Sequence, residues 1–380
     1  MDRRKFLTGT AVAGVAVGAT ALLSGCGKKE AKKAAAKKPA APAVATKKVK
    51  ELKMVTSWPK GFPGLGTAAD RFASRLETAS DGRFKVKVYG GGELVHPLKC
   101  NDAVQQGTAD LYHSADYYYG GKSPAYLFFT AVPFGFTANE MDAWIYHGGG
   151  QALWDEVGAQ FGVKHLMAGN TGSQMGGWFR KPIRSAEDFK GIKMRIPGLG
   201  GKVVNALGGT AVTLAGKEIK PAIDAGTIDA TEWVGPWNDR AFGLYQKLKF
   251  YHYPGFHEPG SMLSLGISKK LWDGLSDADK ALFTAVAGVE NNYDFAEFNA
   301  NNSAALADLV QNYGVKLIEF PDDLFKAFGE ASKQVLAETG AKDALTKKVY
   351  ESFLKFRKNV TGWTKLSDES YTVKRELVKF

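Results

Sequence analysis

The residues best suited to chemistry in this 380-residue sequence are an arginine, a glutamate and a glutamine in three polar clusters where extended stretches end, with a second glutamate, Glu258, further along. Arg195 lies in Lys193-Met194-Arg195-Ile196-Pro197-Gly198. Its planar fork donates two parallel hydrogen bonds and stays charged at any physiological pH. Its apolar neighbours keep water away, so it suits a ligand carboxylate or, equally, an interior salt bridge to a protein acid. Gln174, Glu232 and Glu258 offer oxygen and no sulfur, a donor set for a hard cation such as Ca²⁺ or Na⁺. A cation there would bridge an anionic substrate to the acids, although two such glutamates alone are more often solvated surface residues. The clusters follow the extended stretches Val163–Ala168, Ile192–Ile196 and Ile228–Trp233. Ligands of open α/β sheets bind beyond the carboxyl ends of strands. Dense aromatics, including Tyr117-Tyr118-Tyr119, Trp233 and Trp237, are core residues by default, with some expected to wall a small pocket.

Other motifs carry less. Gly64-Leu65-Gly66-Thr67-Ala68-Ala69 matches a dinucleotide fingerprint, but six residues separate it from the preceding strand. Lys85 and Lys87 stand where a ribose-binding acid belongs. Gly198-Leu199-Gly200-Gly201-Lys202 lacks the Walker spacing and reads as a glycine-rich strand-to-helix turn whose amides could help hold an anion. The six histidines form no tight ligand pair, so structural or surface roles are expected for most. No nucleophile stands beside a base, which argues against an enzyme.

The elements that must position these residues alternate. Strands are expected at Glu51–Ser57, Phe84–Tyr89, Asp110–His113, Ser261–Ser268 and Val315–Phe320, with helices at 63–78, 97–106, 199–207 and 218–225. Ser276 and Asp279 cap a long helix reaching about Leu309, and residues from Asp322 onward are mostly helical. The opening βαβαβ order implies a parallel sheet with helices on its faces, and the whole order implies two α/β lobes joined by more than one crossing.

The net charge of +11 suggests nucleic acid, but its distribution does not. Residues 1–50 hold twelve basic and two acidic residues, leaving 38 basic and 37 acidic in the other 330. A nucleic-acid protein spreads basic charge over a folded face. Residues 1–26 read instead as a signal peptide: Arg3-Arg4, an apolar run from Ala11 to Leu23, then Leu23-Ser24-Gly25-Cys26. The arginine pair resembles a twin-arginine signal, with Sec export the plainer alternative. The Cys26 motif resembles a lipobox, which would acylate Cys26 and anchor the chain to a membrane. Residues 27–50, rich in Ala, Lys and Pro, read as a flexible linker. Cys100 is the only other cysteine, so thiol-metal and CxxC chemistry are excluded.

Four longer motifs carry a family resemblance: 169–180 (Gly-Asn-Thr-Gly-Ser-Gln-Met-Gly-Gly-Trp-Phe-Arg), 193–201, 224–236 (Asp-Ala-Gly-Thr-Ile-Asp-Ala-Thr-Glu-Trp-Val-Gly-Pro) and 253–258 (Tyr-Pro-Gly-Phe-His-Glu). From Lys53 to Phe356 the chain resembles the extracytoplasmic solute-binding subunits of TRAP (tripartite ATP-independent periplasmic) transporters, the DctP family. The Thr231-Glu232-Trp233 form is similar to the branch that binds 2-oxo and 2-hydroxy acids such as pyruvate or lactate. The resemblance implies an α/β, two-lobed periplasmic binding protein fold with a long helix spanning both lobes and a C-terminal helical extension. Lobe I would comprise 51–172 and 259–298, lobe II 173–258 and 299–343, and the extension 344–380, used in homodimers. Ser367-Asp368 and Gly362 make a single continuous dimer helix doubtful.

By the same resemblance Arg195 clamps the substrate carboxylate. Gln174, Glu232, the Trp233 carbonyl and Glu258 surround a metal ion that also touches the substrate, and Tyr117, Tyr118 and Asn238 wall the pocket. The implied function is capture of a small monocarboxylate, with a calcium or sodium ion, for delivery to TRAP permease subunits. A solute sensor feeding a signalling partner is the alternative, and an enzyme on the same fold a lesser one.

Overall fold

The computed structural model describes residues 48–379. The expected signal peptide, Cys26 and nearly all of the linker lie outside the described residues. Eleven strands occur among the described residues: β1 Lys50–Thr56, β2 Phe84–Tyr89, β3 Leu111–Ser114, β4 Val163–Asn170, β5 Gly177–Phe179, β6 Lys193–Arg195, β7 Thr210–Val212, β8 Ala230–Thr231, β9 Phe250–Tyr253, β10 Met262–Ser268 and β11 Lys316–Glu319. β1 starts at Lys50, the last residue of the expected linker.

The strands form two sheets, one for each lobe. The first runs β2-β1-β3-β10-β4 and the second β11-β9-β5-β8-β6-β7. β1 is parallel to β2 and β3, as the opening βαβαβ order requires. β10 is antiparallel to both β3 and β4, so the sheet is mixed rather than parallel. β10 returns to the first sheet from the second, and its direction is set by that long-range crossing rather than by a local βαβ unit. The helix Leu65–Ala79 covers this sheet with Leu65, Ala69, Phe72 and Leu76 on its buried face, an i, i+4, i+7, i+11 stripe.

The chain passes between the sheets at residues 171–176, at 254–261 and along the helix Asp277–Gln311. Ser276 caps that helix, its hydroxyl accepting from the Asp279 amide at 3.1 Å. Gly64 sits at φ +66°, and a Cβ there would stand 2.6 Å from the Phe298 ring of the long helix. Gly66 likewise faces the Pro59 carbonyl. These glycines of the would-be dinucleotide motif serve close packing.

The helix Ala344–Thr364 returns to the first lobe. Phe353 is buried between Phe136, 4.5 Å away centroid to centroid, and Phe128 at 5.9 Å. The expected break at Ser367-Asp368 is a π-turn, Lys365–Glu369, in which the Ser367 hydroxyl donates to the Trp363 carbonyl at 2.9 Å. Helix resumes at Ser370–Arg375, so the extension bulges without stopping. Among the described residues no helix is long and apolar enough to cross a membrane. Cys100 is a free, fully buried thiol that burial pushes up to about 12.

Candidate ligand and cation site

Backbone register brings Arg195 and Glu232 together. β6 and β8 run parallel with Arg195 opposite Thr231, and the Glu232 amide donates to the Arg195 carbonyl at 3.2 Å. Both residues therefore leave the carboxyl ends of their strands side by side. Asp239 holds the following loop, accepting from the Val234 amide at 3.1 Å, Trp178 Nε1 at 2.8 Å and the Tyr251 hydroxyl at 2.7 Å. Burial raises its carboxyl to about 6 against these three donors.

Gln174 and Glu258 lie on the two extended crossings, which are bonded to each other. The Thr171 amide donates to the Ser261 carbonyl, Gln174 to Glu258, and Gly255 to Gln174, each at 3.0 Å. Two of the four predicted cation ligands thus stand where the chain passes between lobes, and the other two, Glu232 and Trp233, sit in the second lobe.

Arg195 is 1% exposed. Its Nη1 donates to Glu232 Oε1 at 2.5 Å and to the Glu232 carbonyl at 3.0 Å, and Nε donates to the Leu214 carbonyl at 3.2 Å. Nη2 donates to the Tyr118 hydroxyl at 3.3 Å. The guanidinium stacks on the Trp233 ring, 5.0 Å from its centroid. The interior salt bridge left open by residue type is therefore present, with Nη2 held only by a long bond to a phenol. Burial opposes the charged form, but Glu232 and the tyrosines outweigh it and raise the arginine's pKa further.

The acids are short of donors. Glu232 Oε2 and Gln174 Oε1 are buried without a hydrogen-bond partner, although Gln174 Nε2 donates to Thr171 and Ser261 hydroxyls at 3.0 Å each. Glu258 accepts from the Ser261 hydroxyl. Burial, then the neighbouring Glu232 charge, lifts Glu258 to about 7. Unsatisfied buried oxygens cost about 1–3 kcal/mol each, and oxygen donors around an excess of negative charge match a hard cation. Gln174, Glu232 and Glu258 fit such an ion.

His257 was missed by sequence reasoning. It is buried, its Nε2 stands 3.4 Å from Glu232 Oε2, and donor atoms of Glu232, His257 and Glu258 lie within 4.8 Å of one another. Burial disfavours its charged form, yet Glu232 and Glu258 reverse this and raise its pKa. The only available signal was its place beside Glu258 in the Tyr253–Glu258 motif. Gly200 also packs on it: a Cβ there would lie 2.7 Å from His257 Cβ.

Tyr117, Tyr118, Gln174 and Trp233 line one small cavity with Trp58, Thr130 and Ser261. The tyrosines are seated on buried Asp116, whose carboxylate accepts from Tyr112, Ser264 and Trp154. Asn238 stands apart from this lining, its Nδ2 donating to the Pro63 carbonyl at 3.1 Å across the lobes. The cavity is about 10 Å³, room for about one water. A three-carbon acid therefore needs this space to widen.

Comparison with known proteins identifies the family. The model for bacterial extracellular solute-binding protein family 7, DctP, matches residues 54–343. This chain belongs to the DctP family. A monocarboxylate 2-oxoacid-binding periplasmic protein of Nostoc sp. (strain PCC 7120) is 42% identical over 319 residues, covering 84% of this chain and 87% of that relative. A TRAP solute-binding protein of Bordetella bronchiseptica RB50, seen as a dimer with calcium and picolinate in one of two sites, superposes with TM-score 0.84 at 33% identity, covering 87% of this chain and 98% of that one. A protein of Pseudoalteromonas atlantica T6c with sodium and pyruvate gives 0.83 at 36%, covering 86% and 99%. DctP proteins are exported transport receptors rather than enzymes, and this chain has their two-lobed fold.

Proposed function

We propose that this DctP protein captures a small monocarboxylate, a 2-oxo or 2-hydroxy acid such as pyruvate or lactate, together with a calcium or sodium ion. It then presents the acid to TRAP permease subunits. The observation that carries the reading is a fully buried arginine beside two buried glutamates, with Glu232 Oε2 and Gln174 Oε1 left without a hydrogen-bond donor. The relatives named for 2-oxoacids and those holding pyruvate or picolinate with a cation support it.

The electrostatics set the mechanism. Glu232 and Glu258, when both are ionised and His257 is neutral, leave one negative charge against Arg195. Burial lifts Glu258 to about 7 and the two acids raise His257, so a cation would be what favours that ionised state. An incoming carboxylate would add a second negative charge in a dry site, at high cost. A cation supplies the missing positive charge and a common partner for ligand and acids. Gln174, Glu232, the Trp233 carbonyl and Glu258 hold it. With a ligand bound, Arg195 would give its Glu232-directed donors to the ligand carboxylate, and Glu232 would be one of the residues free to hold the cation. Trp233 stacks under Arg195 and fixes the plane of its fork, Tyr117 and Tyr118 close the wall, and Asn238 ties the lobes. Ligands on both the crossings and the second lobe couple occupancy to closure.

The lobes are assigned as 51–172 with 259–298 and 173–258 with 299–343, boundaries of which two fall within the extended crossings and one within the long helix. Residues 344–380 form the dimerisation segment, whose outer half exposes Trp363, Leu366 and Tyr371. Export by the twin-arginine route and acylation of Cys26 would hold the receptor at the membrane surface. Native mass spectrometry of purified protein tests the core of this reading: acid and cation leave together, and a chain carrying neither after incubation with pyruvate and Ca²⁺ contradicts it.

A further inference from the structure

A second, larger cavity of about 570 Å³ lies outside the Arg195 cluster. His96 and Lys99 stand on its first-lobe side, Lys202 and Lys342 on the other, and Tyr117 and Tyr118 form its floor. The same two tyrosines line the small inner cavity, and Tyr118 accepts from Arg195. The two spaces therefore share the Tyr117 and Tyr118 side chains as a common wall, with the guanidinium bonded to Tyr118.

The four basic side chains of this outer cavity are not equally committed. His96 pairs with Glu218 at 3.3 Å and Lys99 with Asp102 at 3.2 Å. Lys202 donates to a neutral group, the Thr339 hydroxyl, at 3.0 Å. Among the described residues no carboxylate forms an ion pair with Lys202 or Lys342. Burial and then the Lys342 charge depress the Lys202 ammonium, with Glu338 opposing, so the two lysines feel each other. Unpaired like charges in a concave wall focus a field into it and raise the local concentration of counter-ions. The body of the chain is nearly neutral, so this field is local rather than a property of the whole surface.

We propose that this cavity is the entrance vestibule for the organic anion, and that Lys202 and Lys342 are the residues that draw it toward the Tyr117–Tyr118 wall. The proposal deepens the functional reading above and rests on it. Because the lysines stand outside the inner cavity, they act on arrival and not on residence. They select small anions over neutral analogues before Arg195 is reached. Electrostatic steering of this kind changes association rates and is screened by salt.

Stopped-flow tryptophan fluorescence with pyruvate and excess Ca²⁺ tests it, comparing wild type with the Lys202→Gln/Lys342→Gln double variant at about 20 and 500 mM salt. The expected result is an association rate lowered about 3- to 10-fold at low salt, an unchanged dissociation rate, and convergence at high salt. Thr339→Val removes the Lys202 hydrogen bond without its charge and should leave association unchanged. Lys342→Gln alone, at an exposed position, should give about a twofold loss. Equal association rates for wild type and the double variant at low salt, or a loss carried by dissociation, overturns the vestibule while leaving the Arg195 reading intact. Wild type that binds no 2-oxo acid overturns that reading and this one with it.

Discussion

Two buried charge clusters in this molecule look alike in composition and differ in use. One is the cleft cluster of Arg195, Glu232, His257 and Glu258. The other lies between the helix Leu65–Ala79 and the long helix. There Arg71 donates to Glu290 at 2.9 Å and to Asp294 at 3.3 Å and pairs with Glu297 at 2.8 Å, while Arg75 pairs with Glu290. Burial lifts Glu290 to about 7 despite its arginines, the same region as Glu258, so acidity does not separate the clusters. Partner supply does. At the long helix two arginines serve three acids, and Tyr293 stacks on both guanidiniums, 4.8 and 4.5 Å away. Two carboxylate oxygens there lack a hydrogen-bond partner: Glu297 Oε2 is ion-paired with Arg71 at 2.8 Å, and Asp294 Oδ2 packs against Gly169, where a Cβ would stand 2.7 Å away. In the cleft Arg195 bonds Glu232 but not Glu258, Glu232 Oε2 has only His257 Nε2 nearby at 3.4 Å, and the unpartnered Gln174 belongs to the lining of a small cavity. The first arrangement holds helices together, and the second is built to be completed by something from outside.

The comparison breaks if the two arginines behave alike. Arg195→Ala should weaken carboxylate binding by about 2–5 kcal/mol, because it leaves a desolvated anion unpaired; titration calorimetry measures this directly. Arg71→Ala should leave affinity for the same acid unchanged and lower folding stability by about 2–3 kcal/mol, between the values for surface and buried pairs. Urea denaturation reads that loss, and a weakened affinity in this variant would erase the distinction. Glu258→Gln keeps shape and removes one charge, so it should lower Ca²⁺ affinity about tenfold or more with little effect on stability, since ligand charge count tunes such sites.

The smallest effect concerns a control group in each lobe. His113 accepts from Trp58 Nε1 at 2.8 Å and stands 3.0 Å from the Ala168 carbonyl, while His252 accepts from the Ile183 amide at 2.9 Å. Burial lowers both to about 4. The unfolded chain takes up these protons near pH 6.5 and the folded chain does not. Their contribution is therefore intact above pH 6.5 and is lost as pH falls toward 4. His113→Gln should flatten the fall in denaturation midpoint between pH 7 and 5, and an unaltered slope would remove His113 from the account.

What could be read from the sequence divides along the same physical line. Arg195, Glu232, Gln174 and Glu258 were legible because each lies within a long, ordered motif. Arg195 and Glu232 converge because parallel strands end at one edge, and Gln174 and Glu258 join them through the paired crossings. His257 was not legible, since its role depends on a carboxylate 25 positions away in the chain. The three-residue strand β5 gave no periodicity to read, and the helix Pro236–Phe242 is too short to show a stripe. The antiparallel course of β10 is fixed by a crossing between lobes, which no local pattern encodes. Ser367-Asp368 was correctly seen as an irregularity, but a side-chain hydroxyl bonded to the preceding turn lets the helix bulge and continue.

The central claim is that Arg195 and a cation together hold a monocarboxylate. Calorimetric titration of pyruvate into the full chain, once with Ca²⁺ and once after exhaustive chelation in sodium-free buffer, tests it most directly. The account predicts binding with Ca²⁺ that weakens at least about a hundredfold on chelation, the roughly 3 kcal/mol expected when an added anion in a dry site loses its counter-charge. Equal affinity with and without the cation would contradict it.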